Sequence, residues 1–500
     1  MLYNNPHNWA RKIGFGFEPN AKLPSDLKKW NKNQLNGKFQ GVGVPEKGSK
    51  PIAWPEEFNF SLQDRLKRAR AYHKEAERIY KRKNDNLRSY KRNRLKLEQF
   101  IHAFDAHKYW NFAIYGEDMV KQRLTHFWMN HFFVSNSFDT HWVLGDFRDR
   151  IIYGNLNSSF DKILYEATTH IGMLDYLDNT KNYGEKSKSA QWRRANARSP
   201  IGLNDNFARE LLELHTVSPS KGYSEDDIRG TAKVLAGWGT GYAIHSLYKA
   251  YRKKRSRDFL PDFSKFVLEP YSRRAAEPGS KSILGQEFLG GTKGKNALRK
   301  LTDMLASDDH TAQYLSRKLA IHFLGQDATN REIKVIYDSW KKSKGDLKVV
   351  HEVVIEVLQN THAKRFLWPS TWAFQAIRIS GADIMPGFLR DKNMSLKDVK
   401  HRDLDEFPID TLEEIGFDVF GWDRQPNGFS DKKEDWVSTE HFDRRVKMAS
   451  KIFSNNPKRS GEEIAEILGF SDQTKKAISM GGNDRAKFII ALCSADFMEV

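Results

Sequence analysis

The sequence predicts a predominantly all-α protein, a large multi-helical body with a loop and short β-hairpin insertion around residues 240–292. Three observations carry this expectation. Apolar residues recur every three or four positions through most of the 500 residues, the spacing that gathers them on one helix face. Capping residues stand where such stretches begin, as Asn204, Asp205 and Ser224 do, because their side chains accept from the unpaired first N–H groups. Glycine and proline gather instead in 239–294 and 383–435, where they interrupt the helical pattern.

The elements follow in order. Residues 62–100 read as a long polar helix with 14 Lys and Arg against five acids, half of the net charge of +18. One reading is a solvated face laced with pairs such as Glu77–Lys81. The other is a footprint for an anionic polymer or membrane surface, with Tyr72, Tyr80 and Tyr90 interleaved for stacking. Residues 105–135 follow as an aromatic-rich helical segment, then shorter helices over Val143–Tyr153 and Ser159–His170. The polar stretch 182–199 reads as a loop. Helices over 203–217 and 224–238 form an antiparallel pair across a turn with Pro219 and Gly222, and Glu225, Asp226 and Asp227 suit the positive end of the second. Gly237-Trp238-Gly239-Thr240-Gly241 follows a helix and reads as its stop. Lys249 and Arg252–Arg255 form a basic loop cluster, and Ser282–Gly290 a small hairpin. Helices resume beyond 295. This organisation divides the chain into a main body (1–382, with the insertion 239–294), a connector (383–435) and a C-terminal helical subdomain (436–500) packed on the body.

The helix 203–217 is the first candidate site. Leu203, Phe207, Leu211 and Leu214 form one stripe, and Ala208 and Leu212 point the other way, so the helix is expected to be buried. Glu210 lies within that stripe, with Glu213 one turn on, and a buried carboxylate needs a partner or a shifted pKa. Asn206, Arg209 and His215 complete its polar set, and Arg209 can pair with Glu213. The second constellation is Trp128, Asn130 and His131, with His126 one turn from Asn130. His131 reads either as a satisfied core histidine or as a base or ligand meeting the 203–217 helix. Glu210, Glu213 and His131 are therefore the candidate catalytic residues, and the same three are candidate ligands for a divalent transition metal. The competing reading is a structural polar network that includes Trp128, Asn130, Asn206, Arg209, His215, Asp227, Trp238 and Lys281. The Glu-x-x-His spacing of di-iron bundles is absent.

Several chemistries are set aside. Cys493 is the single cysteine, which excludes an intramolecular disulfide and a cysteine zinc cluster. There is no Gly-x-Ser-x-Gly, no His-Glu-x-x-His and no Gly-x-x-x-x-Gly-Lys-Ser/Thr. No apolar run reaches the roughly 20 residues that span a bilayer, and the first 20 residues lack a signal-peptide core.

Five blocks carry a resemblance. They are Arg11-Lys12-Ile13-Gly14-Phe15-Gly16, Phe127-Trp128-Met129-Asn130-His131-Phe132, the helical pair 203–238, Pro278-Gly279-Ser280-Lys281-Ser282-Ile283-Leu284-Gly285 and Cys493-Ser494-Ala495-Asp496-Phe497. Over nearly its whole length the chain resembles the bacterial family called domain of unknown function 1800. Met129 replaces that family's first His in the second block, and Ala276-Glu277 stands where a His-Asp pair is usual. The resemblance implies an exported, periplasmic or extracellular protein, with a sulfatase-like protein encoded nearby as partner.

Three functions follow as expectations. The first is an envelope-associated interaction or scaffold protein. The second is a metal-dependent, hydrolase-like enzyme acting on an anionic polymer through Glu210, Glu213 and His131. The third is a nucleic-acid binder, supported by charge alone.

Overall fold

The computed structural model describes residues 5–36, 54–69, 71, 87–136, 140–196, 198, 200–239, 270–289, 294–390, 395–396, 399, 404, 414–416 and 425–500, and of 87–100 the backbone only. It is 63% helical, about twice the share of an ordinary soluble protein, and its sheet among the described residues has two strands. The all-α expectation holds. Glu77, Lys81 and the side chains of Tyr72, Tyr80 and Tyr90 lie outside the described residues, as do Thr240, Gly241, Lys249 and Arg252–Arg255.

The chain opens with helices α1 (Pro6–Ile13) and α2 (Leu27–Asn36). The segment expected over 105–135 is two helices, α3 (Leu87–Tyr115) and α4 (Met119–His131). They part at Gly116, where a Cβ would lie 2.3 Å from the Phe112 carbonyl. Every residue of α4 except Asn130 is buried, so α4 runs through the interior. The next helical stretch, Leu144–Asn155, contains a wider π turn over Phe147–Ile152. It is followed by α5 (Phe160–Thr169) and α6 (Ile171–Tyr176).

Two expectations change in the next region. The polar stretch read as a loop holds helix α7 (Lys188–Ala195), begun by Ser187, whose hydroxyl accepts the Ala190 N–H at 3.2 Å. The cap outweighs the polar composition, since a short helix on the surface needs little apolar residue of its own. The helix expected over 203–217 is α8 (Asn206–Glu213), shorter at both ends. Asn204 turns its side chain onto the Asn206 N–H, and the Thr216 hydroxyl donates to the Leu211 carbonyl, which closes the C-terminal turn. Phe207, Ala208, Leu211 and Leu212 are buried, whereas Leu203, Glu210, Glu213 and Leu214 are half-buried.

Helix α9 (Glu225–Leu235) begins with a capping box between Ser224 and Asp227. The hairpin β1 (Lys281–Ile283) and β2 (Gln286–Phe288) is antiparallel, with Lys281 opposite Phe288. Its two-residue turn, Leu284-Gly285, has φ of 49° and 76°, as the twist of a tight hairpin demands. The Leu284 N–H donates to Asp227 Oδ1 at 2.6 Å, which ties the strained turn to the cap of α9.

Helices α10 (Gly294–Ser307), α11 (Asp309–Leu324), α12 (Asn330–Ser343) and α13 (Leu347–Asn360) then pack on one another in sequence. After α14 (Pro369–Ser380) come α15 (Thr439–Phe453), α16 (Gly461–Leu468), α17 (Asp472–Ser479) and α18 (Asp484–Cys493). One continuous apolar core runs from Trp9 through α4, α8 and α14 to Phe497. Arg11 reinforces that join by donating to the Phe497 carbonyl at 2.5 Å. Among the described residues no helix is long and apolar enough to cross a membrane.

Candidate functional site

The polar centre lies where α4 meets α11. Tyr314, Lys318 and His322 follow each other at four-residue intervals on α11 and therefore share one face. Lys318 Nζ stands 3.2 Å from His131 Nδ1 at the end of α4. An ammonium only donates, so Nδ1 accepts, and Nε2 carries the proton that it donates to the His215 carbonyl at 3.2 Å. Burial holds His131 well below the usual histidine pKa, with Lys318 and His215 adding to it. It is a neutral acceptor. Burial also pushes the half-buried Lys318 down to about 8, against the opposing pull of Asp431. The Tyr314 ring lies 5.4 Å from the same ammonium.

Asp431 continues the centre towards the surface. It accepts from His322 Nδ1 at 3.1 Å and from Arg365 Nη2 at 2.8 Å. Burial would raise its pKa, but His322 and Arg365 outweigh that and hold it low. Arg365 is buried, and its Nε and Nη1 have no protein partner; burial lowers it to about 10. Arg123, also buried, donates to the Thr371 hydroxyl at 3.0 Å. Arg365 thus pairs directly with this carboxylate, and Lys318 and Arg123 lie within its electrostatic reach. Arg365 and Asp431 also line an open cleft of about 720 Å³, with Thr361, Lys364 and Glu434 on its walls.

The residues singled out in the sequence fall into separate neighbourhoods. Trp128 is fully buried and donates its indole N–H to His351 Nε2 at 3.0 Å. Asn130 grips the backbone of Phe429. His131 and His215 do meet, with ring centroids 5.8 Å apart. Glu210 and Glu213 sit on the half-buried side of α8. Burial raises the pKa of Glu210, and Glu213 adds to it; Glu213 in turn bonds the Tyr223 hydroxyl and acts on Tyr314. The polar contacts of His131 are Lys318 and the His215 carbonyl, and rings surround it.

Arg209 does not pair with Glu213. It makes two 3.1 Å bonds to Glu225 across the α8–α9 pair and lies 3.6 Å from Asp205 at the start of its own helix. Asn206 donates to the Leu177 carbonyl. Asp227 joins cap and hairpin, and Lys281 is buried with its ammonium on the Glu277 and Gly279 carbonyls. Trp238 is fully buried, and its indole N–H has no protein partner. Among the described residues no group of three or more His, Cys, Asp or Glu is arranged to hold a metal ion.

Sequence reading missed Lys318, His322, Arg365 and Asp431. The signal for the first two was present in the four-residue spacing of Tyr314, Lys318 and His322. Arg365 and Asp431 stand in irregular segments without a pattern.

These features define a class: a large all-α protein built on a buried basic centre, with an open polar cleft beside it. The chain belongs to the family described as "Protein of unknown function (DUF1800)", whose model matches residues 8–498. No curated protein and no solved structure matches it.

Proposed function

We propose that this protein is an interaction protein of an envelope-associated or exported assembly, a helical platform that acts by binding. One observation carries the reading: His131, the best-placed base in the sequence, spends both ring nitrogens inside the protein, on Lys318 and on the His215 carbonyl. A histidine held in this way braces α4, α8 and α11 and has no free nitrogen for a substrate proton. The family resemblance implies a sulfatase-like partner encoded nearby. Sedimentation of the two purified proteins tests the proposal. A stable complex at about 10 μM supports it, and independent sedimentation at that concentration overturns it.

A second reading is an enzyme acting on an anionic polymer, in which Glu210 and Glu213 carry the chemistry. It is favoured by the raised pKa of Glu210 beside a second carboxylate, an arrangement in which one carboxyl holds a proton while the other accepts. A divalent metal belongs to this reading, with His131 as its third ligand. Release of reducing ends from polygalacturonate, abolished in Glu213→Gln, would establish it; an unchanged polymer would dismiss it for that substrate.

A further inference from the structure

A second surface shares no residue with the polar centre or with the lining of the cleft. Helix α7 carries Trp192, which is 50% exposed, an unusual position for the largest apolar side chain. Arg198 stacks its guanidinium 5.3 Å from the Trp192 ring centroid. Arg193 and Arg194 follow Trp192 on the helix, and Lys188 precedes it. The segment bearing Arg273 and Arg274 is bonded alongside: the Ser189 N–H donates to the Arg274 carbonyl at 2.9 Å, and the Gly184 N–H to the Ala275 carbonyl at 2.8 Å. All these cations are exposed except Arg193, which is half-buried. Of the acids at this edge, Glu185 is paired with Arg229 and Glu277 is buried, accepting the Lys186 N–H at 2.9 Å; Arg194 spends one N–H on the Glu185 carbonyl at 2.8 Å and keeps the rest of its fork.

We propose that this face binds an anionic polysaccharide, with Trp192 as the platform for a sugar ring and the arginines as forks for its carboxylate or sulfate groups. Charge complementarity supplies the attraction, and arginine presents paired N–H groups that match such oxyanions two at a time. Trp192 is the one exposed aromatic of this face among the described residues, and that decides between polymers. A nucleic-acid strand is held by successive stacking platforms, and a bilayer surface by an apolar helix face with several residues to insert. Among the described residues this face offers one exposed ring among charges, which matches a chain of alternating ring and acid. The inference does not depend on the protein-partner proposal, because complex formation and glycan binding are measured separately.

The test is titration of the full chain with dextran sulfate and with polygalacturonate, followed by fluorescence and repeated over a range of salt. Binding of either should quench tryptophan emission and weaken steeply with salt. Arg193→Glu with Arg194→Glu should weaken it at least tenfold, and Trp192→Ala several-fold with the salt slope retained. Lys447→Glu, an exposed charge reversal on α15, should leave it within twofold. Lys188→Glu with Arg274→Glu provides a second pair should the first fail to fold. Equal loss in Lys447→Glu would reduce the effect to net charge and overturn the proposal. So would tighter binding to a thymidine oligonucleotide or to phosphatidylglycerol vesicles that responds to the same variants, or no binding to either polysaccharide.

Discussion

Asn130 holds Phe429 by both ends of its amide: Oδ1 accepts the Phe429 N–H at 2.7 Å, and Nδ2 donates to the Phe429 carbonyl at 2.9 Å. The side chain thus acts as a length of backbone, pinning the segment that carries Asp431 against the end of α4. Gly428 permits the approach, since a Cβ there would stand 2.5 Å from Asn130 Oδ1.

The first prediction concerns this clamp. Asn130→Ala leaves two backbone groups without partners and should cost about 1–3 kcal/mol. Hydrogen exchange should accelerate selectively in residues 425–436. Unchanged exchange in that segment would show that other contacts hold it.

The Lys318–His131 bond makes a second. His131→Phe removes the acceptor and strands a half-buried ammonium, so it should be more damaging in the wild-type background than in Lys318→Met. A double-mutant cycle from urea melts should give a coupling of about 1 kcal/mol or more. Strict additivity would rule out the bond as an energetic contribution.

Acid sensitivity is the third. His107, His215, His322 and His351 are each pushed down by burial to about 3, whereas the unfolded chain titrates near 6.5. Below about pH 6.5 the unfolded state therefore binds protons that the folded state refuses. Stability is flat from there up to about pH 8 and falls as the pH drops towards 3. The slope is about 1.4 kcal/mol per histidine per pH unit once well below 6.5. Above about pH 8 the depressed Lys318 acts in the same sense: the folded state loses its proton first, so stability rises with pH by about 1.4 kcal/mol per unit until the unfolded lysine deprotonates at about 10.4. Urea melts between pH 5 and 7 measure this, and His351→Gln should flatten the slope by one proton. A pH-independent midpoint over that range would be incompatible with neutral buried histidines.

The last prediction is at Glu210. Read from the sequence, Glu210 is part of a polar network with Arg209, which makes Glu210→Gln mildly destabilising. In the structure Arg209 belongs to Glu225, while Glu210 sits beside Glu213 and is more comfortable protonated. Glu210→Gln removes a repulsion at a half-exposed site and should raise stability by no more than about 0.5 kcal/mol. A loss above about 1 kcal/mol in thermal melts at pH 7 would mean that the carboxylate has a partner of its own.

What the sequence by itself determined is local. Ser224 and Asp227 cap α9 because three residues separate them, and the turn at Leu284-Gly285 follows from a glycine between short strand-like runs. The burial of Phe207 and Leu211 follows from helical spacing. Each of these depends on neighbours within one turn of helix or hairpin. The long-range pairings were decided by the tertiary structure alone. His131 and Lys318 are 187 positions apart, Asn130 and Phe429 are 299, and Arg209 found Glu225 across a helix pair although Glu213 lay on its own helix. A charged side chain chooses among partners by distance and burial, and both are set only when the helices have packed.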